Sequence, residues 1–205
     1  MSSAHHDEPE QTEGPKILAT ATSAHRHRSG ASAVAPKSLA SPTAKLKMTR
    51  PRYQEVSAGG IPEAKSADGR ARVRVIAGEA LGARAVIDTY IPIVYQDWTI
   101  DAGADVTVPL AREEQAMAYV FQGAVVVGER EVRDGQLALL GAGDDVRFRG
   151  AAGGGRLLLL AGVPIKEPVA RYGPFVMNTQ AEIVEAMRDY QSGRMGEITR
   201  TAEVR

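Results

Sequence analysis

From residue 71 onward the chain alternates short apolar runs with Gly, Asp and Pro. The runs are Ala71 to Ile76, Ile93 to Ile100, Met117 to Phe121, Ala124 to Val127, Leu137 to Leu140, Val146 to Arg149 and Arg156 to Ala161. Runs this short, bounded by turn residues, read as strands. In Asp145-Val146-Arg147-Phe148-Arg149 apolar and charged residues alternate, the period of two that leaves one face of a strand wet. Regularly spaced short strands predict an all-β sandwich or barrel. Trp98 and Tyr119, each inside an apolar run, read as packing aromatics of the core or rim.

The period changes once, near the C-terminus. Gly173-Pro174 interrupts any regular element, since Pro fixes φ and lacks a donor while Gly admits positive φ. Thr179 followed three residues later by Glu182 is a capping-box pattern that predicts a helix start. Ile183, Ala186, Met187 and Tyr190 then recur at helical spacing, and Gly193 stands where a left-handed C′ residue is expected. The stripe reads as a terminal helix packed on its own barrel, with docking on a partner domain as the alternative.

Before Thr49 the pattern is absent. Ala, Ser, Thr and Pro dominate and large apolar residues are rare, so residues 1–48 are expected to form a disordered tail. Between Gly14 and Gln54 there are eight Lys or Arg and neither Asp nor Glu, including His25-Arg26-His27-Arg28. This stretch reads first as unstructured chain. A targeting segment is one alternative, opposed by the acidic Asp7, Glu8, Glu10 and Glu13; a phosphate-contacting arm is another.

Composition narrows the classes. The 205 residues suffice for one ordinary domain and a tail, and the formal net charge is zero, so no global attraction to nucleic acid or to acidic surfaces follows. There is no cysteine, which excludes disulfides, thiolate nucleophiles and Cys-ligated metal clusters. No apolar run is long enough to span a bilayer, and the polar, acidic start lacks secretory character. A cytoplasmic protein is the expectation, with neither membrane nor nucleic acid as partner.

Turn spacing matches a cupin-type barrel, a double-stranded β-helix of jelly-roll type. The general cupin pattern has two motifs: Gly, five residues and His-x-His with a later Gly; and Gly, five residues, Pro-x-Gly, two residues and His. Gly135, Gly141-Ala142-Gly143 and Val146 reproduce the second, with Val146 in the ligand slot. Gly103, Pro109-Leu110-Ala111 and Gly123 reproduce the first, with Pro109 and Ala111 in the two His slots. All four His lie at or before residue 27, so none can come from the folded part. Arg112, Glu113 and Glu114 read as a solvated turn, because adjacent strand residues face opposite ways.

Arg171 to Glu197, RYGPFVMNTQAEIVEAMRDYQSGRMGE, together with Pro51-Arg52-Tyr53-Gln54-Glu55, resembles the C-terminal part of the pirin family, whose members are bicupins. The resemblance covers residues 45 to about 198, and residues 6–14 locally. It implies a fold with two similar barrels and a metal, iron, copper or nickel, in the first, held by a His-x-His pair and a later His-x-Glu. His6-Asp7-Glu8 resembles that His-x-Glu, which makes His6 and Glu8 the candidate metal ligands and residues 6–14 a remnant of the first barrel. Lys45-Leu46-Lys47-Met48 resembles the start of the linker. Residues 15–44 replace the expected apolar strand and read as a frame-altered or inserted segment.

The expectation is therefore a truncated family member: a C-terminal cupin domain over residues 49–205 with a terminal helix behind a disordered tail. No cofactor is expected in this chain. The resemblance implies quercetin 2,3-dioxygenase activity or metal-dependent regulatory binding for intact members. For this chain the reading is a binding or regulatory role without catalysis of its own, its partner a protein or the missing first cupin domain. The alternatives are a flavonol dioxygenase active only with a complete first barrel, and a small-molecule-binding barrel.

Overall fold

The computed structural model describes residues 18–21, 44–49, 52–54, 56–195 and 199–200. In chain order the strands are β1 (Leu18–Ala21), β2 (Arg52–Tyr53), β3 (Glu63–Lys65), β4 (Ala71–Ala77), β5 (Glu79–Ala80), β6 (Ala83–Arg84), β7 (Ile93–Ile100), β8 (Asp105–Pro109), β9 (Gln115–Val127), β10 (Arg130–Arg133), β11 (Gln136–Leu139), β12 (Asp145–Gly162), β13 (Ala170–Tyr172), β14 (Phe175–Met177) and β15 (Thr199–Arg200). The helix α1 (Gln180–Gln191) follows β14. No helix among the described residues is long and apolar enough to cross a membrane.

Nine strands share one sheet in the order β1-β11-β9-β12-β7-β4-β3, with β10 attached to β9 and β8 to β12. The two long strands roll this sheet into a barrel. The first part of β12 pairs with β8 and the last part of β9, whereas its second part pairs with β7 and the first part of β9, with the register shifting between Gly150 and Gly155. Glycine permits that corner. A Cβ on Gly150 would lie 1.9 Å from the Asp101 carbonyl oxygen, and one on Gly123, at φ +68°, would lie 2.3 Å from that of Gly154. The runs expected as separate strands on either side of these glycines are thus single bent strands.

Alternation decides the core. Trp98, Ile100, Val120, Phe148, Leu157 and Leu159 turn inward and are fully buried, with the Trp98 and Phe148 rings 6.2 Å apart. Each such side chain contributes about 1.5–3 kcal/mol relative to exposure. A smaller cluster of Val56, Ile61 and Ile76, joined by Ile87 and Tyr95, lies outside this core.

The helix forms as its sequence predicts. Thr179 and Glu182 close a full capping box, and Gly193 takes φ +72° beyond the last turn. Its stripe is only half used, however. Ile183 and Ala186 are buried but Tyr190 is 68% exposed, edge-on to Phe175 at 6.1 Å, because α1 lies on the β13–β14 hairpin.

Within the stretch expected to be disordered, Leu18–Ala21 pairs antiparallel with Gln136 to Leu139, and Ala44–Leu46 forms one turn of 3₁₀ helix. The rest of residues 1–43, including the remnant at 6–14, lies outside the described residues.

Candidate functional site

In a cupin-type barrel the site to inspect is the interior, where the ligand slots of the two motifs should converge. Val146 does point inward, 6% exposed, paired with Val108 on β8 and followed by inward Phe148 opposite Val106. The other two slots do not. Inward-facing Val106 and Val108 leave Pro109 on the outer parity, opposite Asp145, and both Pro109 and Ala111 are exposed. The glycine spacing matched the first motif while its parity missed the interior. Beyond it, Arg112 pairs with the Asp144 carboxylate and Ala111 N donates to Glu114 Oε2 at 3.0 Å, a solvated turn between β8 and β9.

Among the described residues, one polar side chain enters the core. Gln96, 1% exposed, donates through Nε2 to the Glu79 carbonyl at 2.9 Å and accepts from Trp98 Nε1 at 2.8 Å. Its amide is satisfied on both sides and so is a fixed part of the packing. The sequence held a signal for it, since Gln96 shares the parity of Trp98 and Ile100. Just outside, Tyr95 is pushed up from the ordinary phenol range, first by burial and then by the charge of Asp97.

A shallow cleft of about 270 Å³ opens at the barrel corner between Thr99, Asp101, Gln122, Gly153, Gly154 and Arg156. Its charges are already matched. Arg156 donates to Asp97 at 2.8 Å and stacks 4.9 Å over the Phe121 ring, while Arg72 meets Asp101 at 3.4 Å.

A family model described as the pirin C-terminal cupin domain matches residues 95–196. The chain belongs to the pirin family. This pirin domain is 37% identical over 155 residues to Pirin of Rattus norvegicus, an alignment covering 73% of this chain and 53% of that protein. Against Pirin-like protein of Solanum lycopersicum the identity is 35% over 158 residues, 75% of this chain and 54% of that protein. Among solved structures, quercetin 2,3-dioxygenase from Acinetobacter baumannii superposes at a TM-score of 0.69 with 33% identity, covering 77% of this chain and 55% of that one. The chain spans about half the length of the relatives it matches.

The metal that the family resemblance implies does not fit the residues of this barrel. Val146, Val106 and Val108 offer no lone pair where imidazole or carboxylate donors would have to converge. Among the described residues, no three His, Asp or Glu side chains come together as a ligand set. His6 and Glu8 lie outside the described residues.

Proposed function

We propose that this pirin domain acts as a binding or regulatory module with no catalysis of its own. One observation carries the reading: the second-motif ligand slot holds Val146, and the interior around it is packed with Phe148, Trp98 and neighbouring valines. A close-packed interior has neither the donors nor the volume for a metal with a bound flavonol. His6 and Glu8 supply at most two of the several donors such an ion needs. The packed core also argues against a small-molecule site inside the barrel.

The test is metal analysis by mass spectrometry with oxygen uptake on quercetin, for the full chain and for a variant lacking residues 1–44. The expected result is substoichiometric iron, copper and nickel and no uptake in either form. Turnover that survives the deletion would require a site within the barrel and would overturn the reading.

A second reading is favoured by the partial coverage of the relatives and by the name of the solved neighbour, a quercetin 2,3-dioxygenase. On it, this domain completes a flavonol dioxygenase whose metal sits in a first barrel supplied separately. Oxygen uptake that appears only when such a barrel is added would select it.

A further inference from the structure

The outer surface of the barrel differs along β12. Beside β8 its outward side chains are Arg147 and Arg149, facing Thr107 and Asp105, and Arg147 Nε donates to Asp105 Oδ1 at 2.7 Å. That is the wet face of an antiparallel sheet. The second part of β12 presents the opposite. Register sets Leu158 beside Tyr119 of β9 with Leu137 of β11 beyond, and Leu160 beside Met117 with Leu139 beyond. Their chain neighbours Leu157, Leu159, Val120, Ala118 and Ala138 are the inward, fully buried ones. The six therefore project outward, partly exposed and, for Leu139, 38% exposed.

Two apolar rows thus cross three adjacent strands on the outside of the barrel. At β7 the same face is covered, because Val56 and Ile61 pack over Ile76 and Tyr95. That cover belongs to the segment leading into β3, and α1 lies on the β13–β14 hairpin. At ordinary strand spacing, six large side chains make a patch on the order of a few hundred Å², the size at which apolar surface marks an interaction site.

We propose that this face is closed by the same face of a second copy of the chain, in a two-fold sheet-on-sheet dimer. Rows of side chains on a pleated surface are complementary in shape to another sheet, into whose rows they interdigitate. Charge selects the same occupant. Arg156 and Asp97 at the edge of the patch are paired with each other, and the whole chain has zero net charge, so two copies meet without repulsion while a strongly charged partner finds no counter-charge. Length agrees as well: the matched stretch of 155 residues covers 53% of one such relative, so two copies of that stretch make up about the length of the relative. The inference does not depend on whether the barrel is catalytic.

Sedimentation equilibrium on the full chain across the micromolar range tests it. The expected species has twice the 21.8 kDa chain mass. Leu158→Lys, which sets a charge at the centre of the face on both copies, weakens the dimer by at least about a hundredfold. Leu137→Lys, nearer the sheet edge and gentler on folding, shifts the mass in the same direction, and circular dichroism shows that each variant is folded. Thr107→Lys on the wet face leaves the dimer intact. A monomer at every concentration overturns the proposal, as does a dimer that survives both leucine substitutions in folded protein. A monomeric chain that instead binds the separately produced first half of Pirin, one to one, assigns the face to that half and also overturns it.

Discussion

The barrel and the C-terminal appendage are held together by different physics. Inside the barrel almost every large side chain is removed from water, and one glutamine is tied down by two hydrogen bonds. The appendage of β13, β14 and α1 buries Ile183 and Ala186 but leaves Val169, Tyr172, Val176 and Tyr190 exposed. Directional bonds hold it instead. Glu182 accepts from Asn178 N at 2.8 Å and Thr179 N at 2.9 Å, while Asn178 donates to Glu167 Oε2 and to the Pro168 carbonyl, each at 3.0 Å, and accepts from Lys47 Nζ. A region stabilised by burial fails as a whole when its packing is lost. One stabilised by caps opens locally, and its strength follows pH.

The largest effect should come from Trp98→Ala. It empties the centre of the core and strips Gln96 Oε1 of its donor, for an expected loss of about 3–5 kcal/mol. Urea unfolding followed by far-ultraviolet dichroism reads it. A loss below the cost of an exposed substitution would break the contrast, because the barrel would then not depend on its packing. Gly150→Ala comes next, at about 1–3 kcal/mol for a clash that backbone movement must absorb. It should lower the same midpoint with no change in exposed apolar surface.

Thr179→Ala should cost about 0.5–2 kcal/mol, confined to the helix. Hydrogen exchange sharpens the comparison here: the amides of Glu182 and Ile183 lose protection while those of β9 and β12 keep theirs. Equal loss in both would mean that appendage and barrel open together. The smallest effect is electrostatic. The Asn178 and Thr179 amides hold the Glu182 carboxyl below the ordinary Glu range. A depressed folded value stabilises fully above the ordinary range, and that stability is lost as pH falls through the folded value. Glu182→Gln should therefore flatten the acid limb of the helix's exchange protection. A limb identical to that of the unmodified chain would show that the carboxylate does not titrate against the cap.

What could be read from the residues divides along the same line. The helix was legible to its cap and its stop because Thr179, Glu182 and Gly193 act within one or two turns of themselves. The strand Ile93–Ile100 was legible from its apolar run alone. The inward parity of β8 was not, since Gly103 to Pro109 fits a motif by spacing and spacing carries no information about faces. Leu157 to Leu160 reads only as buried strand, because a run apolar on both parities cannot say that one face meets the core and the other the outside. Residues 163–179 held no periodic signal for β13 or β14. Their hairpin depends on Gly173, at φ +53° between two three-residue strands.

The central place of β12 sets an order of events during synthesis. Residues 145–162 are the common partner of β7, β8 and β9, and these are all made earlier. A nascent chain that has reached residue 144 thus carries β7 and β8 without the partner that joins them. At the usual rate of elongation, the interval between emergence of β7 and completion of β12 is on the order of seconds. Through that interval β7 has its earlier partner β4 but an open edge where β12 will pair, and the inward side of Trp98 and Ile100 lacks the strand that closes the core over it, which makes this the window in which the growing chain is open to aggregation and to capture by chaperones.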